Sequence, residues 1–169
     1  MKSIIRFSEK TLIVLLLTAI SLFVGCTKDG PADDANVMTK TFQPADISWS
    51  STSNYGTNYK VATLNIPQLT SSIVDNGIVL VYGGVRFGES WTALPYPFFE
   101  WGVTKFLSFS VETGSVVLRY SQSNNVTPDS PSIAFKVVIV PGNNIPRPAS
   151  PSLDYTDYKA VCEYYGIRK

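Results

Sequence analysis

Apolar and polar positions alternate with a period of two through most of the chain after residue 37. In Lys105–Val111, Leu107, Phe109 and Val111 share one side and Ser108 and Ser110 the other, as in a strand with one buried face. Glu112-Thr113-Gly114 then turns the chain into Ser115–Ser121, where Val116, Leu118 and Tyr120 alternate with Val117 and Arg119. The short connection predicts a hairpin. Ser132–Val140 repeats the pattern, with Ile133, Phe135, Val137 and Ile139 opposite Ala134, Lys136, Val138 and Val140, and Pro141-Gly142 stops it. Ile78-Val79-Leu80-Val81-Tyr82 is apolar at every position, which predicts a central strand covered on both faces. Val37–Phe42, Ile47–Trp49 and Tyr59–Ile66 read as further short strands, the last ended by Pro67, which cannot donate to a ladder. Ser50–Gly56 reads as a polar loop, and Leu69–Val74 as one helical turn closed by Asn76-Gly77.

The period changes near the end of the chain. Tyr158, Val161, Cys162 and Tyr165 fall at i, i+3, i+4 and i+7, one apolar stripe of an amphipathic helix. Asp154 or Thr156 can cap its start, and Gly166 stands where a C-terminal cap belongs. Cys162 lies in the stripe, so it is expected to be buried and inert, as an apolar cysteine away from positive neighbours is. Seven or eight short strands, closely spaced turns and one late helix predict an all-β domain: an antiparallel β-sandwich, Ig-like or jelly-roll-like, or a partly closed barrel, with one C-terminal α-helix. No internal repeat is visible.

Before the domain the pattern is of another kind. Leu12–Val24 is an apolar run of 13 residues preceded by Lys2, Arg6 and Lys10 and followed by Gly25-Cys26. A basic head, a short apolar middle and a small residue at the break describe a secretory signal, and the run is shorter than the roughly 20 residues that a membrane-spanning helix needs. Leu22-Phe23-Val24-Gly25-Cys26 resembles a bacterial lipobox. That resemblance implies cleavage after Gly25 and acylation of Cys26, which would hold the chain at a membrane. Thr27–Asn36 is polar, with Gly and Pro and no apolar period, and reads as a flexible tether. Its Asp29, Asp33 and Asp34 lack the central Gly and closing Glu of an EF-hand loop. The expected organisation is therefore a signal over 1–25, a lipidated cysteine and tether over 26–36, and one domain over 37–169.

Composition narrows the chemistry. Without residues 1–25 the chain keeps eleven basic and twelve acidic side chains, so no basic surface argues for nucleic acid. It has no histidine and, beyond Cys26, only Cys162. That excludes an intramolecular disulfide in the domain, a Ser-His-Asp triad, a Cys-His pair and a His-ligated zinc. No cofactor is expected.

The least ordinary segment is Arg86–Gly102, which carries Trp91, Tyr96, Phe98, Phe99 and Trp101 around Pro95 and Pro97. Two prolines so close exclude a helix and a central strand. Its aromatic rings either cover the open end of the sandwich or form a platform on which sugar rings stack, with Glu89, Glu100 and Arg86 giving polar contacts. A glycosidase would need two carboxylates about 5 to 10 Å apart. Glu89, Glu100, Glu112 and Asp129 are available, but their spacing argues for no pair. A surface-fibre subunit would polymerise by strand addition. The fimbrial lipoproteins of that kind are released by cleavage after an N-terminal arginine, and this chain has no arginine between Cys26 and Val85.

Asp75–Tyr82, Trp91-Thr92-Ala93-Leu94-Pro95-Tyr96 and Phe135–Gly142 together resemble a group of small Bacteroidota lipoproteins. These share a lipobox, a polar and sometimes collagen-like tether, and one β-rich domain. The similarity spans most of the chain after Cys26, although the collagen-like tether is missing. Lys28-Asp29 looks like the short charged signal that surface-exported lipoproteins of Bacteroidota carry. The resemblance implies a β-rich fold and an envelope address only, and carries no functional residue; the expected place is the outer membrane, facing the surface or the periplasm. The expectation is a non-catalytic binding or interaction module for a glycan or protein ligand, with a fimbrial subunit and a carbohydrate-active enzyme as alternatives. The candidate ligand-binding residues are Trp91, Tyr96, Trp101, Glu89 and Glu100.

Overall fold

The structure is a computed structural model, and it describes residues 37–84, 90–145 and 153–167. Cys26, the tether, Arg86 and Glu89 lie outside the described residues. Among the described residues nine strands form two antiparallel sheets. The strands are β1 (Met38–Phe42), β2 (Ser50–Asn54), β3 (Thr57–Asn65), β4 (Ile78–Gly83), β5 (Thr92–Ala93), β6 (Tyr96–Glu100), β7 (Val103–Glu112), β8 (Ser115–Gln122) and β9 (Phe135–Val140). The first sheet has the order β1-β9-β4-β5 and the second the order β2-β3-β8-β7-β6. Two α-helices accompany them among the described residues, α1 (Ser71–Asn76) and α2 (Tyr158–Tyr165).

The two sheets form an antiparallel sandwich. Its main core takes Val81 from β4, Phe135, Val137 and Ile139 from β9, and Ala62, Leu64, Leu107, Val116, Leu118 and Tyr120 from the facing sheet. The predicted alternation of β7, β8 and β9 places these side chains inward. The first sheet is also covered on its other face. Tyr82 and the intervening β9 residues Val138 and Val140 pack against Tyr158, Val161, Cys162 and Tyr165 of α2. This is why β4 and β9 are apolar at nearly every position: each lies inside a sheet whose two faces are both buried. Helix α2 has the predicted stripe, and Cys162 is buried in it.

Several expectations are corrected. Ile47–Trp49 is not a strand. The strand is Ser50–Asn54, which the sequence marks as a loop; its side chains are polar because it is an edge whose one partner is β3. The aromatic, Pro-containing segment does cross between the sheets, from β5 at the edge of the first to β6 at the edge of the second, but it does so as edge strands and not as a loop over the open end. Tyr96–Glu100 is the opposite edge strand, β6, with Pro97 across from Phe106, and an edge is where a missing donor is tolerated. The cap of α2 is Asp157, whose carboxylate accepts from the backbone N–H groups of Lys159 and Ala160. Asp154 instead accepts from the backbone and hydroxyl of Thr156, which holds its carboxyl below the usual carboxylate range.

The register gives the sandwich two distinct ends. At one end, which we call the base, β3 finishes at Asn65, whose carbonyl accepts from Lys40 of β1. Helix α1 and the end of β9 meet there at backbone distance. A Cβ on Gly142 would lie 2.5 Å from the Asn76 carbonyl oxygen. The described chain also starts at the base, since Met38, at the beginning of β1, lines a small groove with Ile66 and Gln68.

Candidate functional site

Of the candidate aromatic residues, Trp91 and Tyr96 border one depression and Trp101 stands apart. Trp91 is half-buried beside α2, with its ring centroid 6.1 Å from that of Tyr158. The Lys136 ammonium lies 4.4 Å above the Trp91 ring and 4.6 Å from that of Tyr158. Burial holds the Lys136 amine below its ordinary range. Trp91 is thus part of the layer between the first sheet and α2. Tyr96 is half-buried on the inner side of β6, stacked on Phe98, which in turn stacks on Tyr120. Trp91 and Tyr96 do line one shallow depression of about 450 Å³ with Thr92 and Thr156. One face of the Trp91 ring there is already occupied by Lys136.

Trp101 and Glu100 lie elsewhere, at the end of the second sheet remote from the base. Trp101 and Gly102 form the two-residue turn between β6 and β7, with φ values of 52° and 78°. Tyr55 and Gly56 form the matching turn between β2 and β3, with φ values of 49° and 77°. Positive φ at both central residues makes each a type I′ turn, whose usual first residue is Asn, Asp or Gly. A bulky side chain there is strained. Both rings are nevertheless held in solvent, Tyr55 at 99% and Trp101 at 89% exposure.

The loop after β8 runs between these two hairpins and is stitched to both. The Asn58 backbone N–H donates to Asn125 Oδ1 at 2.8 Å, and Asn125 Nδ2 donates to the Gly56 carbonyl at 2.8 Å. On the other side the Ser123 N–H donates to the Thr104 carbonyl at 2.8 Å, and the Thr104 N–H to Ser123 Oγ at 3.1 Å. Asn125 also has positive φ, so the three non-glycine residues with left-handed backbone among those described all sit at this end. Among the described residues the exposed large hydrophobic side chains do too. They are Tyr55, Trp101 and Val126 in the turns and loop, and Phe99 and Phe106 beside them on the outer face of β6 and β7.

Sequence reasoning singled out Trp101 but missed Tyr55. The signal was an aromatic-Gly pair between two strands, and Ser50–Asn54 was too polar to be read as the first of them. Glu100 is exposed and ion-paired with Lys105. Hydrogen bonding to Glu100 raises the Lys105 amine above its ordinary value. Glu112 lies at the other end of β7, ten residues of strand away, about 30 Å. Glu100 and Glu112 therefore cannot act as the two carboxylates of a glycosidase. Among the described residues no three His, Cys, Asp or Glu side chains come together as a metal site, and no helix is long and apolar enough to cross a membrane. No protein-family model matches the chain, and neither does any curated protein or solved structure.

Proposed function

We propose that this protein is a non-catalytic binding module, anchored to an envelope membrane through lipid on Cys26, that meets its ligand with the turn end of the second sheet. The observation that carries this is the coincidence, at one end of one sheet, of exposed aromatic rings and left-handed backbone. A strained, bulky residue in a turn is kept only where something over-determines it, and such residues cluster at functional sites. Here two solvent-exposed rings stand on turns whose backbone favours other residues, beside a loop fixed by hydrogen bonds to both hairpins. The anchor reading fits the same geometry. The chain enters the domain at the base, so a tether there leaves the turns facing away from the membrane.

Two measurements test the two halves of this proposal. In fractionated cells, Cys26→Ala should move the protein from the membrane pellet to the soluble fraction; retention in the pellet refutes the anchor. For the module, any ligand captured from panels of glycans, peptides and vesicles should be lost by the double variant Tyr55→Asn/Trp101→Asn. Undiminished capture by that variant refutes the turn end as the site.

A further inference from the structure

Resting on that proposal, we infer that the ligand is an extended, uncharged glycan that bridges the Tyr55 and Trp101 turns across the loop between them. The spacing comes from the sheet itself. With the order β2-β3-β8-β7-β6, the β2–β3 and β6–β7 turns are three inter-strand spacings apart, about 14 Å. One sugar ring cannot touch both, whereas an oligosaccharide running across the ends of the strands can.

The chemistry of the surface selects the same ligand class. Among residues 54–57, 100–103 and 123–127, which make up the two turns and the loop, only Glu100 is charged, and it is paired with Lys105. An anionic polymer or an anionic bilayer would call for lysine and arginine here. What the surface offers is two ring faces and, on the exposed loop between the hairpins, the NH2 of Asn124, whose Oδ1 already accepts from the Val126 N–H, the O–H of Ser123, whose oxygen accepts from the Thr104 N–H, and the hydroxyl of Thr127. These are stacking surfaces and neutral hydrogen-bonding groups, which suit a polyhydroxylated chain. The chain's own N-terminal segment is a poor occupant, because it joins the domain at the opposite end of the sandwich, a strand length of about 30 Å away. The rings are also pre-positioned: the loop between them is hydrogen-bonded to the strand behind each turn, so little backbone ordering remains on binding.

The test uses residues 26–169 with Cys26→Ser, which removes the proposed site of lipid attachment. Native gels are cast with neutral polysaccharides, namely hydroxyethylcellulose, xyloglucan, galactomannan, mannan and dextran. The same proteins are floated with phosphatidylcholine vesicles. At least one polysaccharide should retard the protein, its oligosaccharides should compete, and its monosaccharide should not. Tyr55→Asn and Trp101→Asn should each weaken binding about tenfold, the change that corresponds to about 1.4 kcal/mol. If no polysaccharide retards the chain while vesicles carry it in a Trp101-dependent way, the glycan inference fails and the binding-module proposal stands. If a polysaccharide retards the double variant as strongly as the parent, the turns are not the site and both fail. Full competition by the monosaccharide overturns the bridging geometry.

Discussion

The turn substitutions that should abolish binding should also make the protein more stable. A left-handed backbone costs an ordinary L-residue about 1–2 kcal/mol, and Asn bears it more easily. Tyr55 is 99% exposed, so Tyr55→Asn removes strain and gives up no burial. A net gain of about 1 kcal/mol follows. Trp101 is 89% exposed. Its buried remnant, on the order of 25 Å² of a large ring, contributes about 0.6 kcal/mol, which leaves a gain nearer 0.5 kcal/mol for Trp101→Asn. The turns are far enough apart for the effects to add, so the double variant should gain about 1.5 kcal/mol. For a domain of this size that is about 5 °C in Tm. Urea unfolding of residues 26–169, with unchanged m-value, measures it. Thr113→Asn is the control, because in the β7–β8 turn only Gly114 has positive φ, and its effect should stay within about 0.5 kcal/mol. A double variant less stable than the parent by more than that would mean that the rings hold the fold together. The argument from strain to binding would then collapse.

Four other outcomes follow from the packing. Trp91→Ala should cost about 2–3 kcal/mol in urea unfolding, because the ring packs on Tyr158 and under Lys136, whereas Trp101→Ala should cost almost nothing. Asp157→Ala should cost about 1 kcal/mol by removing the cap of α2, and Asp154→Ala less. Gly142→Ala should cost about 2 kcal/mol or more, since its Cβ would meet the Asn76 carbonyl oxygen at 2.5 Å; a neutral effect would mean that α1 and β9 are not in backbone contact. Burial raises the phenols of Tyr82, Tyr158 and Tyr165. Their folded-state values lie above the unfolded value near 10, so the stability they contribute is fully present below about pH 10 and is lost as pH rises beyond it. In an alkaline titration their tyrosinate absorbance should appear only together with loss of the fold. Smooth ionisation of every tyrosine in the folded protein would refute the burial of this layer.

What the sequence made legible was governed by burial. Leu107, Phe109, Val116, Leu118, Val137 and Ile139 alternate because each strand faces the main core on one side, so β7, β8 and β9 could be read directly. Tyr158, Val161, Cys162 and Tyr165 carry the helical period for the same reason. Ser50–Asn54 could not be read this way. It buries almost nothing, and it is a strand because β3 supplies its hydrogen bonds and the Tyr55-Gly56 turn closes the pair. The candidate site was half legible. Aromatic density pointed to residues 91–101, but density does not say which rings are buried. Trp91 is taken by α2, a partner more than 60 residues away in sequence, while Trp101 is freed by a turn at the end of the sheet. Tyr55 became visible only once the register brought its turn to the same end.

The two ends of the sandwich differ because they answer to different demands. At the base, Gly77 and Gly142 let backbones meet where no Cβ fits, and Lys40 ties β1 to the end of β3. These contacts join α1 to the end of β9 and the first sheet to the second. At the turn end the hydrogen bonds of Asn125 and Ser123 brace the hairpins from within the second sheet, and they leave Tyr55 and Trp101 untouched. Rigid backbone beneath free rings is a poor arrangement for stability alone, since Asn at either position would relieve strain and lose little. It is a good arrangement for a surface that must present two rings at a fixed separation before any ligand arrives. That is why the gain in stability and the loss of binding are expected in the same two substitutions.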